Sequence, residues 1–409
     1  MRPTAVPAAR LVAVVLVALW SGLLSACTVD VDRRAVEDEI DERTERPFYE
    51  VPDPLPPGEP GTLIRSERLF GTARGSVGWR ILYHSRDVTG ADIAVSGVVL
   101  APDRPATDGS RPVVSWGHPT TGAARHCAPS LGIDPFDTIE GAMALVRAGY
   151  VVVATDYPGM GAPGPASYLI GTSEGRSVLD ATRAAGHIRA TGAGSQLLLW
   201  GHSQGGQAVL FAAQEAPTYA PDLELVAVAA AAPAVELAAL LRDNEDLPAG
   251  VTLGAYAFDA YQQVYGPTHP EMSLDQVVKP AGVPVVPELA GLCLFGQRKE
   301  LERLAEPLVG EFIAADPAAV EPWASLLQEN TPGAVRIDAP MFIAQGTADT
   351  LVDPATTRSY LRDMCAAGER VDFHQEPGVG HALVAERAIP DVVGFFGDAL
   401  AGRPTPDSC

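Results

Sequence analysis

A serine flanked by glycines, placed between a strand-like and a helix-like segment, constrains the fold more than any other feature of the chain. Residues 201–205 are Gly-His-Ser-Gln-Gly, after the apolar run 197–200 and before the helix-like segment 207–214. The glycines allow a strand to turn sharply into a helix and leave the hydroxyl of Ser203 exposed at the end of a sheet. Because the pattern also arises by chance, a glycine-rich turn with an idle serine is the alternative.

Strand-like and helix-like segments alternate on both sides of this turn. Such alternation is typical of an α/β fold, with a mostly parallel central sheet covered by helices on both faces. Residues 79–86 and 92–100 form a predicted hairpin, which fits an antiparallel edge of the sheet. The other predicted strands are 112–116, 150–155, 196–200, 225–232, 341–344 and 371–374, and the predicted helices include 138–148, 177–189, 357–365 and 383–400.

The alternation stops between about residues 234 and 330, where the sequence is helix-like throughout. We therefore predict a two-part core, 61–233 and 331–409, interrupted by a helical cap at 234–330. Phe258, Tyr261 and Tyr265 recur there at helical spacing. They are either ordinary core of a helical subdomain or, in part, the lining of an apolar pocket above Ser203.

Residues 1–26 are predicted to be a signal peptide. Two arginines precede an apolar run that is shorter than the roughly 20 residues of a membrane-spanning helix. Residues 24–27, Leu-Ser-Ala-Cys, resemble a bacterial lipobox, which implies cleavage before Cys27 and a lipid on its thiol. The protein is then a cell-envelope lipoprotein anchored at the outer face of the membrane, or else a secreted protein with a spare cysteine. Residues 27–60, charged and proline-rich, are predicted to be a tether in which residues 48 and 49 dock on the body.

The net charge disfavours two classes of partner, and the cysteines indicate disulfides rather than a metal site. Removal of the two signal-peptide arginines takes the net charge from −22 to −24, which disfavours nucleic acid and anionic head groups, so membrane attachment must come from the lipid. After export, Cys127, Cys293, Cys365 and Cys409 form an even set in an oxidising compartment, and their spacing leaves all three pairings open. None of them has the short spacing of a zinc site, and no metal is predicted.

A serine hydroxyl becomes a strong nucleophile when a base takes its proton and an acid orients that base. In the chain order serine, acid, histidine, the acid and the histidine are expected in loops after later strands. Asp349 follows the predicted strand 341–344, and His381 follows the last strand and precedes a helix. We predict these three residues to be catalytic.

Three other residues compete for these roles. Asp353 lies four residues after Asp349, but Pro354 follows it, and a role at a helix start accounts for it. His374 lies within a predicted strand, where alternation favours burial. His202 is adjacent to the serine and is predicted to point away from it by strand geometry.

Two backbone amides are needed to stabilise the oxyanion of an ester-cleaving serine. Gln204, directly after the nucleophile, is expected to supply one of them. The second is expected from the loop after strand 112–116, where Pro119 has no amide hydrogen; Thr120 is the first choice and Thr121 the second. A plain turn at this loop is the alternative.

The order of these motifs resembles the secretory lipase family, α/β-hydrolases with a large helical cap. The match runs from about residue 48 to near the end of the chain. It includes Phe-Tyr at 48–49, Pro-Gly at 60–61, Cys-Ala-Pro-Ser at 127–130, Asp-Tyr-Pro-Gly at 156–159, Leu-Asp-Ala-Thr-Arg-Ala at 179–184, the serine turn, and Gly-Thr-Ala-Asp at 346–349.

This resemblance implies the α/β-hydrolase fold, Ser203, Asp349 and His381 as the triad, and esters with an acyl chain as substrates. It also implies disulfides between Cys127 and Cys293 and between Cys365 and Cys409. Two features depart from the family: the His-Pro-Thr-Thr-Gly loop at 118–122, where relatives often have glycine second or an acidic residue nearby, and the lipidation signal.

The sequence thus predicts an exported serine ester hydrolase, a lipase or carboxylesterase, that forms an acyl-enzyme and needs no cofactor. Its expected partners are a small-molecule or lipid ester and, through the N-terminal lipid, a membrane. One alternative is an acyltransferase or peptidase with the same triad. Another is an inert, hydrolase-like surface protein that binds a partner.

Overall fold

The computed structural model describes residues 47–104 and 109–409. The predicted signal peptide, Cys27 and the first part of the predicted tether lie outside these residues. Within the described ranges, no helix combines the length and the apolar character needed to cross a membrane.

The described residues form one nine-stranded sheet in the order β1-β2-β3-β5-β4-β6-β7-β8-β9. The first three strands and β5 pair antiparallel, whereas β5, β4 and the strands from β6 to β9 are parallel neighbours. This is the mostly parallel sheet with an antiparallel edge that the sequence predicts. The strands are β1 (Leu63–Leu69), β2 (Ser76–Arg86), β3 (Asp92–Pro102), β4 (Arg111–Gly117), β5 (Val151–Thr155), β6 (Ala193–His202), β7 (Glu224–Ala231), β8 (Met341–Gly346) and β9 (Val371–Glu376).

Helices cover both faces of this sheet. Because side chains alternate along a strand, Leu197 and Leu199 of β6 pack on one face while Leu198 and Trp200 pack on the other. The first face is covered by α2, α3 and α9, and the second by α1 and α10. These helices are α1 (Ala142–Ala148), α2 (Gly171–Gly186), α3 (Gln204–Tyr219), α9 (Pro354–Ala366) and α10 (His381–Leu400).

Between β7 and β8 the chain forms a set of helices with its own apolar core; we call residues 234–330 the helical block. The ring of Phe258 packs edge-on against Trp323 and is stacked with Phe312. Tyr261 and Tyr265 belong to the same buried cluster. The helices of the block are α4 (Leu237–Asp243), α5 (Pro248–Tyr265), α6 (Val286–Ala290), α7 (Arg298–Ala305) and α8 (Trp323–Glu329), with short 3-10 turns between them.

Glycines explain the two largest differences between the predicted and the observed helix starts. The helix predicted from residue 138 begins at Ala142, because Gly141 before it has a left-handed φ of 83°. The helix predicted at 177–189 spans Gly171–Gly186 instead. Glycine weakens a helix in isolation, but a Cβ on Gly175 would lie 2.8 Å from the amide nitrogen of Ala212 in α3. Close packing of α2 on α3 therefore overrides local propensity here.

The described part of the segment before β1 packs on the core. Tyr49 is fully buried, and its hydroxyl lies 2.7 Å from the hydroxyl of Ser130. The guanidinium of Arg65 donates to the main-chain oxygens of residues 47, 48 and 50. The burial of Tyr49 therefore holds the segment against the loop that follows β4. The hydrogen bonds of Arg65 hold it against β1.

Candidate active site

Ser203 occupies a strained turn between β6 and α3. Its φ is 57° and its ψ is −118°, a conformation that residues with a side chain rarely adopt. A Cβ on Gly205 would lie 1.9 Å from the carbonyl oxygen of Gly117, so glycine is required where α3 crosses the end of β4. The amide of Ser203 donates to the oxygen of Ala231, and its own oxygen accepts from the amide of Ala234. These two hydrogen bonds fix the turn to the end of β7 and to the loop that follows it.

The structure brings Ser203, His381 and Asp349 together at the carboxyl ends of the parallel strands. His381 Nε2 lies 2.8 Å from Ser203 Oγ, and His381 Nδ1 lies 2.8 Å from Asp349 Oδ2. Since an ionised carboxylate only accepts hydrogen bonds, Nδ1 carries the hydrogen and Nε2 presents a lone pair to the serine hydroxyl. The three side chains therefore form one continuous hydrogen-bonded chain, which we call the relay.

Asp349 is held ionised by its surroundings. Burial opposes ionisation, but the hydrogen bond from His381 and those from the amides of Val352 and Leu351 outweigh it, so that the pKa of Asp349 is lowered. Both amides donate to Oδ1 over 2.9 Å, and Gln345 Nε2 donates to Oδ2 over 3.0 Å. Sequence reasoning missed Gln345, although a polar residue near the end of an apolar strand was a signal available to it.

The competing residues lie elsewhere. Asp353 accepts a hydrogen bond from the amide of Ala355 and caps α9. His374 bonds to Asp372 over 3.1 Å and packs on Phe342, but its side chain is 34% exposed, so the predicted burial is only partial. The sequence predicts that His202 points away from the serine; its ring lies beside His381, with the ring centroids 5.0 Å apart.

Gln204 and Thr120, the residues predicted to supply the two oxyanion amides, both lie with Ser203 at one cavity. Gln204 is the first residue of α3, so its amide has no partner within the helix and lies at the positive end of the helix dipole. Thr120 borders both cavities that open on Ser203, and its hydroxyl lies 3.0 Å from that of Tyr168. Thr121 is turned into the loop, where its hydroxyl donates to the oxygen of Cys127. Of the two candidates for the second donor, Thr120 lines both cavities and Thr121 lines neither.

A buried glutamate behind the turn also escaped the sequence analysis. Burial raises the pKa of Glu174 well above its ordinary value, so its surroundings oppose ionisation of the side chain. Its Oε1 accepts from Gln204 Nε2 over 2.7 Å and from the amide of Leu169 over 3.0 Å. Glu174 therefore links the residue that carries the first amide to the wall of the neighbouring cavity.

Two cavities of different character meet at Ser203. The inner cavity, about 60 Å³, is enclosed by mostly apolar side chains of the helical block. The outer cavity, about 610 Å³, is wider and is lined by His381 and by two charged residues of α7, Arg298 and Glu302. The inner lining includes Leu237, Leu241, Leu253, Gly254, Ala257 and Tyr261, and the outer lining includes Ala249, Leu294, Phe295, Arg298, Glu302 and Glu306.

Two disulfides lie near the ends of this arrangement. Cys127–Cys293 joins the loop after β4 to the helical block, and Cys365–Cys409 joins α9 to the end of the chain. Among the described residues, the cluster with metal-ligand atom types is His126 with Cys127 and Cys293. Because both sulfurs are in the disulfide, this cluster offers no thiolate to a metal.

Comparison with known proteins gives consistent matches. The model of the secretory lipase family matches residues 138–408. Lipase A of Moesziomyces aphidis is 24% identical over 95% of this chain and 88% of its own, and a Mycobacterium tuberculosis protein named a probable inactive lipase is 25% identical over 88% and 83%. The closed structure of Candida antarctica lipase A aligns with a TM-score of 0.74 and 21% identity over 89% of this chain and 88% of its own. This structural likeness confirms the predicted α/β-hydrolase fold.

Proposed function

The chain belongs to the secretory lipase family, and we propose that it cleaves acyl esters with Ser203 as nucleophile, His381 as base and Asp349 as the orienting acid. It is an ester hydrolase of the lipase and esterase type. The observation that carries the assignment of residues is the relay from Asp349 through His381 to Ser203, with both hydrogen bonds at 2.8 Å, at the point where two cavities meet.

In the first half-reaction, His381 Nε2 takes the hydroxyl proton while Ser203 Oγ attacks the ester carbonyl carbon. Asp349 stabilises the imidazolium, and the amides of Gln204 and Thr120 donate to the oxyanion. When the tetrahedral intermediate collapses, the bond to the alcohol oxygen breaks and His381 protonates the leaving alcohol. Water, deprotonated by His381, then attacks the acyl carbon and frees the carboxylic acid and Ser203.

The position of His381 supports a proposal for which cavity holds the alcohol and which holds the acyl chain. Because His381 must reach the leaving oxygen, the alcohol lies in the cavity that His381 lines, which is the outer one. The acyl chain then occupies the inner cavity, whose lining is predominantly aliphatic. The substrates proposed are therefore acyl esters, including lipid esters, and the helical block acts as a cap that supplies the acyl site between the core segments 61–233 and 331–409.

Export is part of the same proposal. Residues 1–26 would be removed as a signal peptide, Cys27 would carry lipid, and residues 27–60 would tether the enzyme to the outer face of a membrane. The mass of the mature protein tests this: a diacylated N-terminal cysteine supports it, and an unmodified or uncleaved N terminus contradicts it.

Ser203→Ala tests the catalytic assignment. We expect the variant to keep its unfolding temperature and to lose hydrolysis of short p-nitrophenyl esters and labelling by a fluorophosphonate. Retained turnover in the variant would contradict the proposal.

Labelling of the folded wild-type protein separates the enzyme from an inert binding protein. This comparison matters because one relative is named a probable inactive lipase. Labelled, active wild-type protein supports the hydrolase, and folded wild-type protein without labelling favours the inert alternative.

A further inference from the structure

A second histidine and a glutamate lie behind His381 and have no role in the proposed relay. His202, the last residue of β6, is 3% exposed, and its Nε2 lies 3.1 Å from the main-chain oxygen of His381. On its other side, Nδ1 lies 3.0 Å from Glu140 Oε1. His202 is therefore bonded at both ring nitrogens and contacts the ring of His381 from behind.

The acceptors around His202 determine where its protons lie. A carbonyl oxygen only accepts, so Nε2 must carry a hydrogen that points at His381. The second nitrogen faces a carboxyl group, and a single proton is shared between Nδ1 and Glu140 Oε1. The pair is an imidazolium with a carboxylate, or a neutral imidazole with a neutral acid.

Packing fixes the glutamate in this position. Its main-chain oxygen accepts from Trp200 Nε1 over 3.0 Å. The following residue, Gly141, is pressed so closely against α10 that a Cβ there would lie 2.2 Å from Ile389 Cδ1. Oε2 of Glu140 is buried and has no hydrogen-bond partner among the described residues. A carboxylate placed this way depends on His202 for its compensating charge.

We propose that His202 and Glu140 form a charged pair that positions His381 through its main-chain oxygen and opposes protonation of its ring. This inference rests on the proposed function of His381. His202 touches neither substrate nor the reacting atoms, so it is a positioning residue. The contact anchors the first residue of α10, and with it both 2.8 Å hydrogen bonds of the relay.

Other groups also contribute to the electrostatic field at His381, beginning with the positive end of the dipole of α10, whose first residue is His381. Asp349 lies on the far side of the ring, bonded to Nδ1. Across the outer cavity stand Arg298, Glu302 and Glu306, exposed to solvent, and Arg298 bonds to Glu302 over 2.8 Å. Water screens such exposed charges more than the buried pair. The pair should therefore dominate the change in His381 protonation when either member is replaced.

Four variants of the full chain test the proposal: His202→Leu, His202→Gln, Glu140→Gln and, as the matched control, His374→Gln. Glutamine at 202 keeps a side-chain donor for the oxygen of His381, whereas leucine removes it. We expect His202→Leu to lower kcat by ~10- to 100-fold with KM within about twofold, since small displacements of a catalytic group cost that much. His202→Gln should recover most of kcat, and His374→Gln should match the wild type.

The pH dependence of kcat/KM distinguishes an effect of the pair on the position of His381 from an effect on its protonation. Glutamine at 140 removes the carboxylate, and His202 becomes neutral with it, so that a charged pair is replaced by a neutral one. The positive member of the pair is the nearer one to His381, with ring centroids 5.0 Å apart, so its loss outweighs the loss of the carboxylate. The acidic limb of the kcat/KM profile of Glu140→Gln should then move up by about half to one pH unit. If His202→Leu does not fold, judged by near-ultraviolet circular dichroism, the glutamine variants carry the test.

Normal kcat in folded His202→Leu, or an unmoved acidic limb in Glu140→Gln, would overturn the inference. Ser203→Ala in the same assay separates this failure from a failure of the proposed function. If Ser203→Ala is inactive while His202→Leu is normal, only the present inference falls. If Ser203→Ala remains active, the proposed function itself falls.

Discussion

The two sides of Ser203 are built from different interactions. On the core side, the relay is made of hydrogen bonds between buried polar groups, each placed by a loop at the end of a parallel strand. On the side of the helical block, the inner cavity is lined mainly by aliphatic side chains. Hydrogen bonds of a relay act on the transition state of every ester, whereas apolar walls act on the part of the substrate they touch. Substitutions on the core side should therefore alter the rate of hydrolysis of all esters. Substitutions on the side of the helical block should alter the selectivity between esters.

The strongest test of the core side is Asp349→Asn. An amide in place of the carboxylate can donate to His381 and favour the wrong tautomer, so kcat should fall by about 10⁴-fold, as in other serine triads. The loss should be the same for acetate and octanoate p-nitrophenyl esters, measured under saturating substrate. A loss of kcat that depends on acyl-chain length would contradict the claim that core-side residues act equally on all esters.

Asp353→Asn is the matched control for this variant. Asp353 makes the same type of contact with a main-chain amide but only caps α9, and asparagine is an equally good cap. Its kcat should therefore equal that of the wild type. A large loss there would show that Asp353, and not Asp349, is the acid.

The block side is tested by a pair of identical changes in one helix. Ala257 of α5 lines the inner cavity and is 3% exposed, whereas Ala249 of the same helix lines the outer cavity. Ala257→Leu should lower kcat/KM for octanoate relative to acetate by ~10- to 100-fold, because leucine fills space that the longer acyl chain needs. Ala249→Leu should leave that ratio within about twofold. Equal effects of the two variants would mean that the acyl chain does not occupy the inner cavity.

Much of the core side was predictable because local chemistry and topology both act on it. The turn at Ser203 follows from two glycines, and the loops of Asp349 and His381 follow from the rule that parallel strands end at one edge. What escaped prediction depends on contacts between distant segments. Glu174 is three residues into a helix whose start was placed at 177, and only packing against α3 extends the helix back to residue 171.

The block side was predictable as helix but not as a cavity. Tyr261 lines the inner cavity while Phe258, one turn before it, packs on Trp323 inside the block. Both residues have the same helical spacing, so the pattern alone cannot assign them to core or lining. Tyr261 and Phe258 have different environments because different neighbouring helices face them. Residues close to them in the sequence do not indicate which helix that is.

The smallest effect concerns a buried core carboxyl outside the site, which sharpens the contrast with Asp349. Asp180 of α2 accepts from Ser85, Tyr219 and Arg183, yet burial raises its pKa to about 6 despite these bonds. The folded protein therefore holds this proton more tightly than the unfolded chain does. The resulting stability is full below pH 4 and is lost as the pH rises through about 6, by about 3 kcal/mol in total.

Urea unfolding of the wild type and Asp180→Asn at several pH values between 4 and 7 measures this loss. The free energy of unfolding of the wild type should fall relative to that of the variant as the pH rises, because asparagine does not titrate. Ester hydrolysis per folded molecule should stay within twofold, since the side chain of Asp180 bonds to α2, α3 and β2 and not to the relay. A difference in stability that is constant with pH would mean that the folded protein does not retain the proton. A change in kcat without a change in stability would mean that Asp180 contributes to catalysis as Asp349 does. Buried carboxyls of the core could then not be divided into those that stabilise the fold and those that serve the active site.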